Sequence, residues 1–123
     1  MKLLFTLTLV SVLSINLMAQ KYHIAQSIPF ENIVVSINSD SVELFMNTFS
    51  KGIIAREDDI KIWQDRLNTG KERLEKRFGD FQLSDFTFDF DKEESKLIIY
   101  FKGEEQMRMG VVKEDGAWKL DEK

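Results

Sequence analysis

The chain has 123 residues, a formal net charge of −4 and no cysteine. That length holds one domain with one modest core. The charge leaves no basic face for nucleic acid, and the missing cysteine removes a disulfide framework, a thiol nucleophile, a thiolate metal site and a lipid-modified N-terminal cysteine.

Residues 1–19 read as a secretory leader. Met1-Lys2 is a short basic start, Leu3 to Leu13 is an uncharged apolar run, and Ala19 is a small residue before Gln20. The run is short for a membrane span, which needs about 20 apolar residues. The chain is therefore expected to be exported, periplasmic or secreted, with residues 20–123 as a single domain and no attachment to membrane after cleavage. The loss of Lys2 leaves that domain acidic.

Residues 20–26 form a lead-in. In SIPFENIVVSIN, Ser27 is placed to cap a helix, Pro29 suits a first turn, and Phe30, Ile33, Val34 and Ile37 mark one face. The pattern breaks at Asn38-Ser39. Asp40 and Glu43 have the spacing of a capping box for a second helix. Val42, Phe45, Met46 and Phe49 form its face, and Lys51-Gly52 ends it. Ile53-Ile54-Ala55 reads as an isolated strand or a buried loop.

A longer helical stretch follows, with Glu57, Asp58 and Asp59 leading and Arg73, Lys76 and Arg77 trailing, in accord with the helix dipole. Ile60, Trp63, Leu67, Leu74 and Phe78 share a face. Asn68-Thr69-Gly70 interrupts it, so the stretch is one helix with a weak centre or two with a kink. The retained phase favours one, closed by Gly79.

From Phe81 the period changes to two. Phe81 and Leu83 alternate, then Phe86, Phe88 and Phe90 alternate on the other parity, which predicts a bulge near Ser84-Asp85. After a polar turn at residues 91–95, Lys96 to Lys102 forms the next strand, and Gly103-Glu104 turns the chain. Gln106 to Lys113 forms another strand, with Met107, Met109 and Val111 on one face. Asp115-Gly116 is a hairpin signal, and Trp118 and Leu120 belong to a closing strand. Trp118 reads as the plug between sheet and helices. The fold class is α+β: N-terminal helices packed on a curved, four-stranded antiparallel meander.

This order, with INSDSVELFMNTFS, RFGDFQ and VVKEDGAWKLDE, resembles the nuclear-transport-factor-two-like superfamily. That is a cone-shaped, cystatin-like fold, and the likeness is to its small exported bacterial members of unknown function. The resemblance covers roughly residues 28–121. It implies shape more than activity, since the superfamily includes dehydratases, isomerases, transport factors and binding domains. Its enzymes typically place an Asp or His acid/base inside the cone, often with a Tyr.

Here the inward residues by alternation are nearly all apolar. His23, the one histidine, precedes the first helix. Asp85, at the expected bulge, is the best candidate base, with Tyr100 or Tyr22 as hydrogen-bond donor. There is no G-x-S-x-G, glycine-rich phosphate loop or calcium-loop spacing, so neither a cofactor nor a metal is expected. Met107 and Met109 suit an adaptable apolar pocket. Ile98, Tyr100 and Val112 fall on the outer sheet face beside Arg108 and Lys119, a patch suited to homodimerisation. The expected function is a non-catalytic binding or interaction module of the bacterial envelope, holding an apolar ligand or pairing through its sheet. The alternative is a cofactor-free lyase or isomerase acting on a small apolar molecule.

Overall fold

The computed structural model describes residues 20–122, so the leader read at residues 1–19 lies outside the described residues. The fold is α+β: four helices precede a four-stranded antiparallel sheet that does not close into a barrel.

A 3-10 turn at Ala25–Ser27 leads into α1, Ile28–Ser39. Pro29 occupies the first turn, where its missing N–H costs nothing, and Phe30, Ile33, Val34 and Ile37 are buried. Ser27 sits at the cap position without capping. Its hydroxyl instead accepts from Ile24 N (3.0 Å) and lies 2.6 Å from Glu31 Oε2. His23 Nδ1 lies 2.7 Å from the same carboxylate oxygen, which ties the lead-in to α1.

Asp40 does not form the expected capping box. It takes a left-handed backbone (φ 50°) and closes α1, its N–H donating to Ser36 O. Aspartate tolerates that conformation better than most residues. The cap of α2 (Val42–Asn47) passes to the next residue, Ser41, whose hydroxyl accepts from Leu44 N at 3.3 Å.

Gly52 does not stop a helix. It lies inside α3, Lys51–Arg56, so Ile53-Ile54-Ala55 is helical rather than strand or loop. Ser50 causes this. Its backbone N–H donates to Leu120 O at 2.8 Å, beyond the end of α2, and its hydroxyl faces Ile53 N to start α3. The same hydroxyl donates to Asp121 Oδ1 at 2.7 Å.

Helix α4 spans Ile60–Phe78 as one helix, so the Asn68-Thr69-Gly70 interruption does not break it. Asp59 caps it by accepting from Lys61 N at 2.9 Å, and Gly79 (φ 69°) ends it. Trp63 and Leu67 are fully buried, and Leu74 and Phe78 pack against the core.

A 3-10 turn, Leu83–Asp85, precedes the sheet. The expected bulge near Ser84-Asp85 is therefore a turn, and Phe81 and Leu83 are not strand residues. Asp85 stabilises the turn by accepting from Gln82 N at 2.9 Å. The turn supplies the one-residue change of phase that a bulge would have produced.

The strands β1 (Phe86–Asp91), β2 (Lys96–Phe101), β3 (Glu104–Glu114) and β4 (Ala117–Leu120) pair in chain order. Asp115 (φ 51°) and Gly116 (φ 82°) make the predicted hairpin turn, as two consecutive positive φ values require. Lys102 (φ 49°) and Gly103 (φ 86°) make a second, one residue earlier than the sequence suggested. The bulge lies elsewhere, where Ile99 pairs with Met107 but Tyr100 pairs with Glu105, leaving Gln106 as the extra residue.

Both edge strands are partly covered. Lys21 exchanges two backbone hydrogen bonds with Phe88 (2.9 and 2.7 Å), and Leu120 pairs with the backbone of Thr48 and Ser50. This limits the open edge that would otherwise invite strand addition. In the core, Phe30 packs edge-on to Phe86 (5.1 Å) and Phe88 (5.7 Å). Trp118 is only half-buried, against Phe90 at 5.5 Å. The indole that seals helices to core is Trp63, which has no exposed surface.

Candidate functional site

The interior between helices and sheet is packed at Phe86, Phe88, Leu97 and Ile99, and open at one side. There a groove of about 640 Å³ runs between α4 and the inner face of β3. Met107 and Met109 line it from the sheet, and Phe30 and Ile33 from α1. Phe45 and Phe49 also line it. Helix α4 contributes Ile62, Leu74, Thr69 and Gly70, with Asp65, Arg66, Arg73 and Arg77 also facing the groove.

Each wall has a local cause. Met107 continues by plain alternation the inward face that Met109 and Val111 begin, and the bulge resets the parity of β3 beyond it. Glu105 and Tyr100 are left opposite each other on the outer face. Gln106, the leftover residue, presents its carbonyl oxygen to the Arg77 guanidinium at 2.6 Å. The small residues Thr69 and Gly70 leave space at mid-helix, and a Cβ built on Gly70 would meet nothing within 4 Å. Glycine inside a helix costs about 1 kcal/mol relative to alanine. Here the position lines the groove without adding a side chain to it.

No carboxylate is among the buried residues described, and every buried side-chain polar atom there has a hydrogen-bond partner. The buried hydroxyls of Ser36 and Thr48 donate to Ile33 O and Phe45 O, both at 2.7 Å. The groove's walls are thus apolar and thioether, and its charged groups are confined to exposed positions on α4.

The residues singled out from sequence lie elsewhere, except the two methionines. Asp85 and Tyr22 line a second, smaller depression of about 420 Å³, with Thr87 and Lys102. Tyr22 is 71% exposed there. Tyr100 is not part of that depression; it projects from the outer sheet face opposite Glu105. Of the outer patch, Ile98 is buried within the chain, while Tyr100 and Val112 are half-buried. Arg108 beside them is paired with Glu105 (3.1 Å) and Asp91 (3.4 Å).

Partial burial raises the Tyr100 phenol above the usual tyrosine value, and the neighbouring Asp89 and Glu105 carboxylates add to the shift. The neutral phenol is thus favoured by folding. Its contribution to stability is present below the unfolded tyrosine pKa, about 10, and is lost as pH rises through the higher folded value. An ultraviolet difference titration of the folded chain is expected to show a late-ionising component that Tyr100→Phe removes. A titration in which Tyr100→Phe removed no late component would contradict this.

Sequence reasoning missed the α4 side of the groove. Arg73 and Arg77 read as complements to the helix dipole, and Gly70 as a weak point. The one available signal was a glycine kept inside a strong helical pattern, which marks packing or function when it does not end the helix. No family model matches the chain, and neither a curated protein nor a solved structure is found similar to it.

Proposed function

We propose that the chain is a non-catalytic binding module that holds a small apolar molecule in the groove between α4 and β3. The leader pattern at residues 1–19 supports an exported protein acting in the bacterial envelope, and the helix-on-meander order supports a cone of the nuclear-transport-factor-two-like kind. One observation carries the binding reading: the groove. Its volume of about 640 Å³ falls within the range of small-molecule sites, and its walls are aromatic, aliphatic and thioether. A filled core would have left methionines 107 and 109 no such opening to face.

The absence of chemistry in the reading has a physical basis. A general base must reach the proton it removes, which requires it to border the bound molecule. Asp65, the one carboxylate lining the groove, is exposed to solvent on α4, the wall formed by β3 and α1 offers no titratable group, and Asp85 is occupied at the turn that starts β1.

The test is titration with Nile red, a neutral dye whose emission rises in apolar surroundings. Saturable binding at one dye per chain is expected. Gly70→Leu should weaken it at least tenfold by extending a side chain into the groove, while thermal stability holds or rises, because a helix-interior glycine has been replaced. Absence of saturable binding, or equal binding by a stable Gly70→Leu protein, would remove the proposal.

A further inference from the structure

The groove is chemically divided. Its interior is apolar, while α4 supplies three arginines and one carboxylate, Asp65. Arg66, Arg73 and Arg77 are seven and four residues apart, so helical geometry places them along one edge over about 16 Å. The chain as a whole is acidic, at −4. Three arginines on one edge therefore depart from its general surface character.

These arginines are not neutralised by carboxylates. The ion pairs among the described residues use His23, Lys51, Arg56 and Arg108, and none uses Arg66, Arg73 or Arg77. Arg66 lies over the Trp63 ring at 4.9 Å, which holds it in place and leaves its N–H edges available. Arg77 spends one donor on Gln106 O. A guanidinium has five. Arg73, between them in sequence, has no hydrogen bond or ring contact among the described residues.

We infer that the groove takes a single-chain amphipathic carboxylate. The hydrocarbon chain lies against Met107, Met109 and Phe30, and the carboxylate meets the arginine edge at Arg73, flanked by Arg66 and Arg77. This inference rests on the groove being a ligand site. Arginine suits the head group because its planar fork matches a carboxylate with two parallel hydrogen bonds. A head at the exposed edge stays partly hydrated, so the charge is recognised without full desolvation. The chain's acidity disfavours an anionic bilayer as the source of that head group.

The experiment compares dodecanoate with dodecanol, each displacing Nile red from the full domain. Dodecanoate should bind about tenfold tighter or better, the factor carried by one charge-assisted hydrogen bond. Arg73→Gln should reduce that preference by about tenfold, weakening dodecanoate far more than dodecanol, and added salt should act in the same direction. Equal affinity for acid and alcohol would overturn this inference and leave the apolar site standing. Binding of neither, with no dye binding, would overturn the site as well. A preference that survives substitution of all three arginines by glutamine would place the head group elsewhere and also overturn it. Arginine-dependent capture by anionic phospholipid vesicles, as strong as that of dodecanoate, would overturn the single-chain assignment.

Discussion

Replacing Trp63 by alanine is expected to destabilise the domain by about 3–5 kcal/mol, measured by urea denaturation. Trp63 has no exposed surface and packs between Phe45 (6.1 Å) and Phe49 (5.2 Å), with the Arg66 guanidinium over its ring. Its indole N–H donates to Glu57 O at 2.7 Å, which joins the start of α4 to the end of α3. Alanine removes the largest buried side chain and leaves that carbonyl unpaired. Small domains are typically stable by about 5–15 kcal/mol, so the loss takes a large share of the total. Trp63→Phe keeps most of the packing but not the hydrogen bond, and should cost less. A fall below about 1 kcal/mol for Trp63→Ala would show that this indole does not seal the core. The groove is also affected, since Phe45 and Phe49, which line it, pack against Trp63.

Phe86→Ala should cost a similar amount, about 3–5 kcal/mol, for a different reason. Phe86 is fully buried where β1 begins and meets four other rings: Phe30 at 5.1 Å, Phe78 at 5.2 Å, Phe81 at 5.7 Å and Phe101 at 5.2 Å. These come from α1, the end of α4, the connecting segment and β2. Three of these pairs are edge-on and the Phe101 pair is tilted, and edge-on aromatic pairs add about 0.5–1.5 kcal/mol each beyond area burial. Truncation opens a cavity at the junction of every layer, and no single element can collapse into it. Phe86→Leu, which keeps more volume, should be milder. If Phe86→Ala were as mild as Phe86→Leu in urea melts, the five-ring cluster would not act as the joint between helices and sheet.

The two substitutions also separate the levels at which this fold could be read in advance. Phe86, Phe88 and the face of Phe30, Ile33, Val34 and Ile37 were visible as period-two and helical spacing, because burial demands the same face repeatedly. Asp115-Gly116 was visible because only a few residues accept two consecutive positive φ values. The smaller choices went otherwise. Asp40 closes α1 while Ser41 caps α2, and Ser50 starts a new helix where Lys51-Gly52 was expected to end the second one. At Asp40 and Ser41 the choice rests on local bonds, to Ser36 O and from Leu44 N, whereas at Ser50 partners distant in sequence decide it. Those partners are Leu120 and Asp121.

The candidate site was less legible. Met107 and Met109 were recognised as possible lining, but Gly70 and the arginine edge of α4 were not. Pattern along a chain reports which side of an element is buried. It does not report how closely that side approaches its neighbour. The amino-acid order by itself determined the α+β class, the apolar faces and the antiparallel meander, since periodicity and turn chemistry are local properties. Only the tertiary structure decided that α4 stands off from β3 at Gly70, leaving a groove edged by Arg66, Arg73 and Arg77. Its walls are joined by contacts between residues far apart in the chain, among them Arg77 with Gln106 O and Phe78 with Phe86 and Phe101.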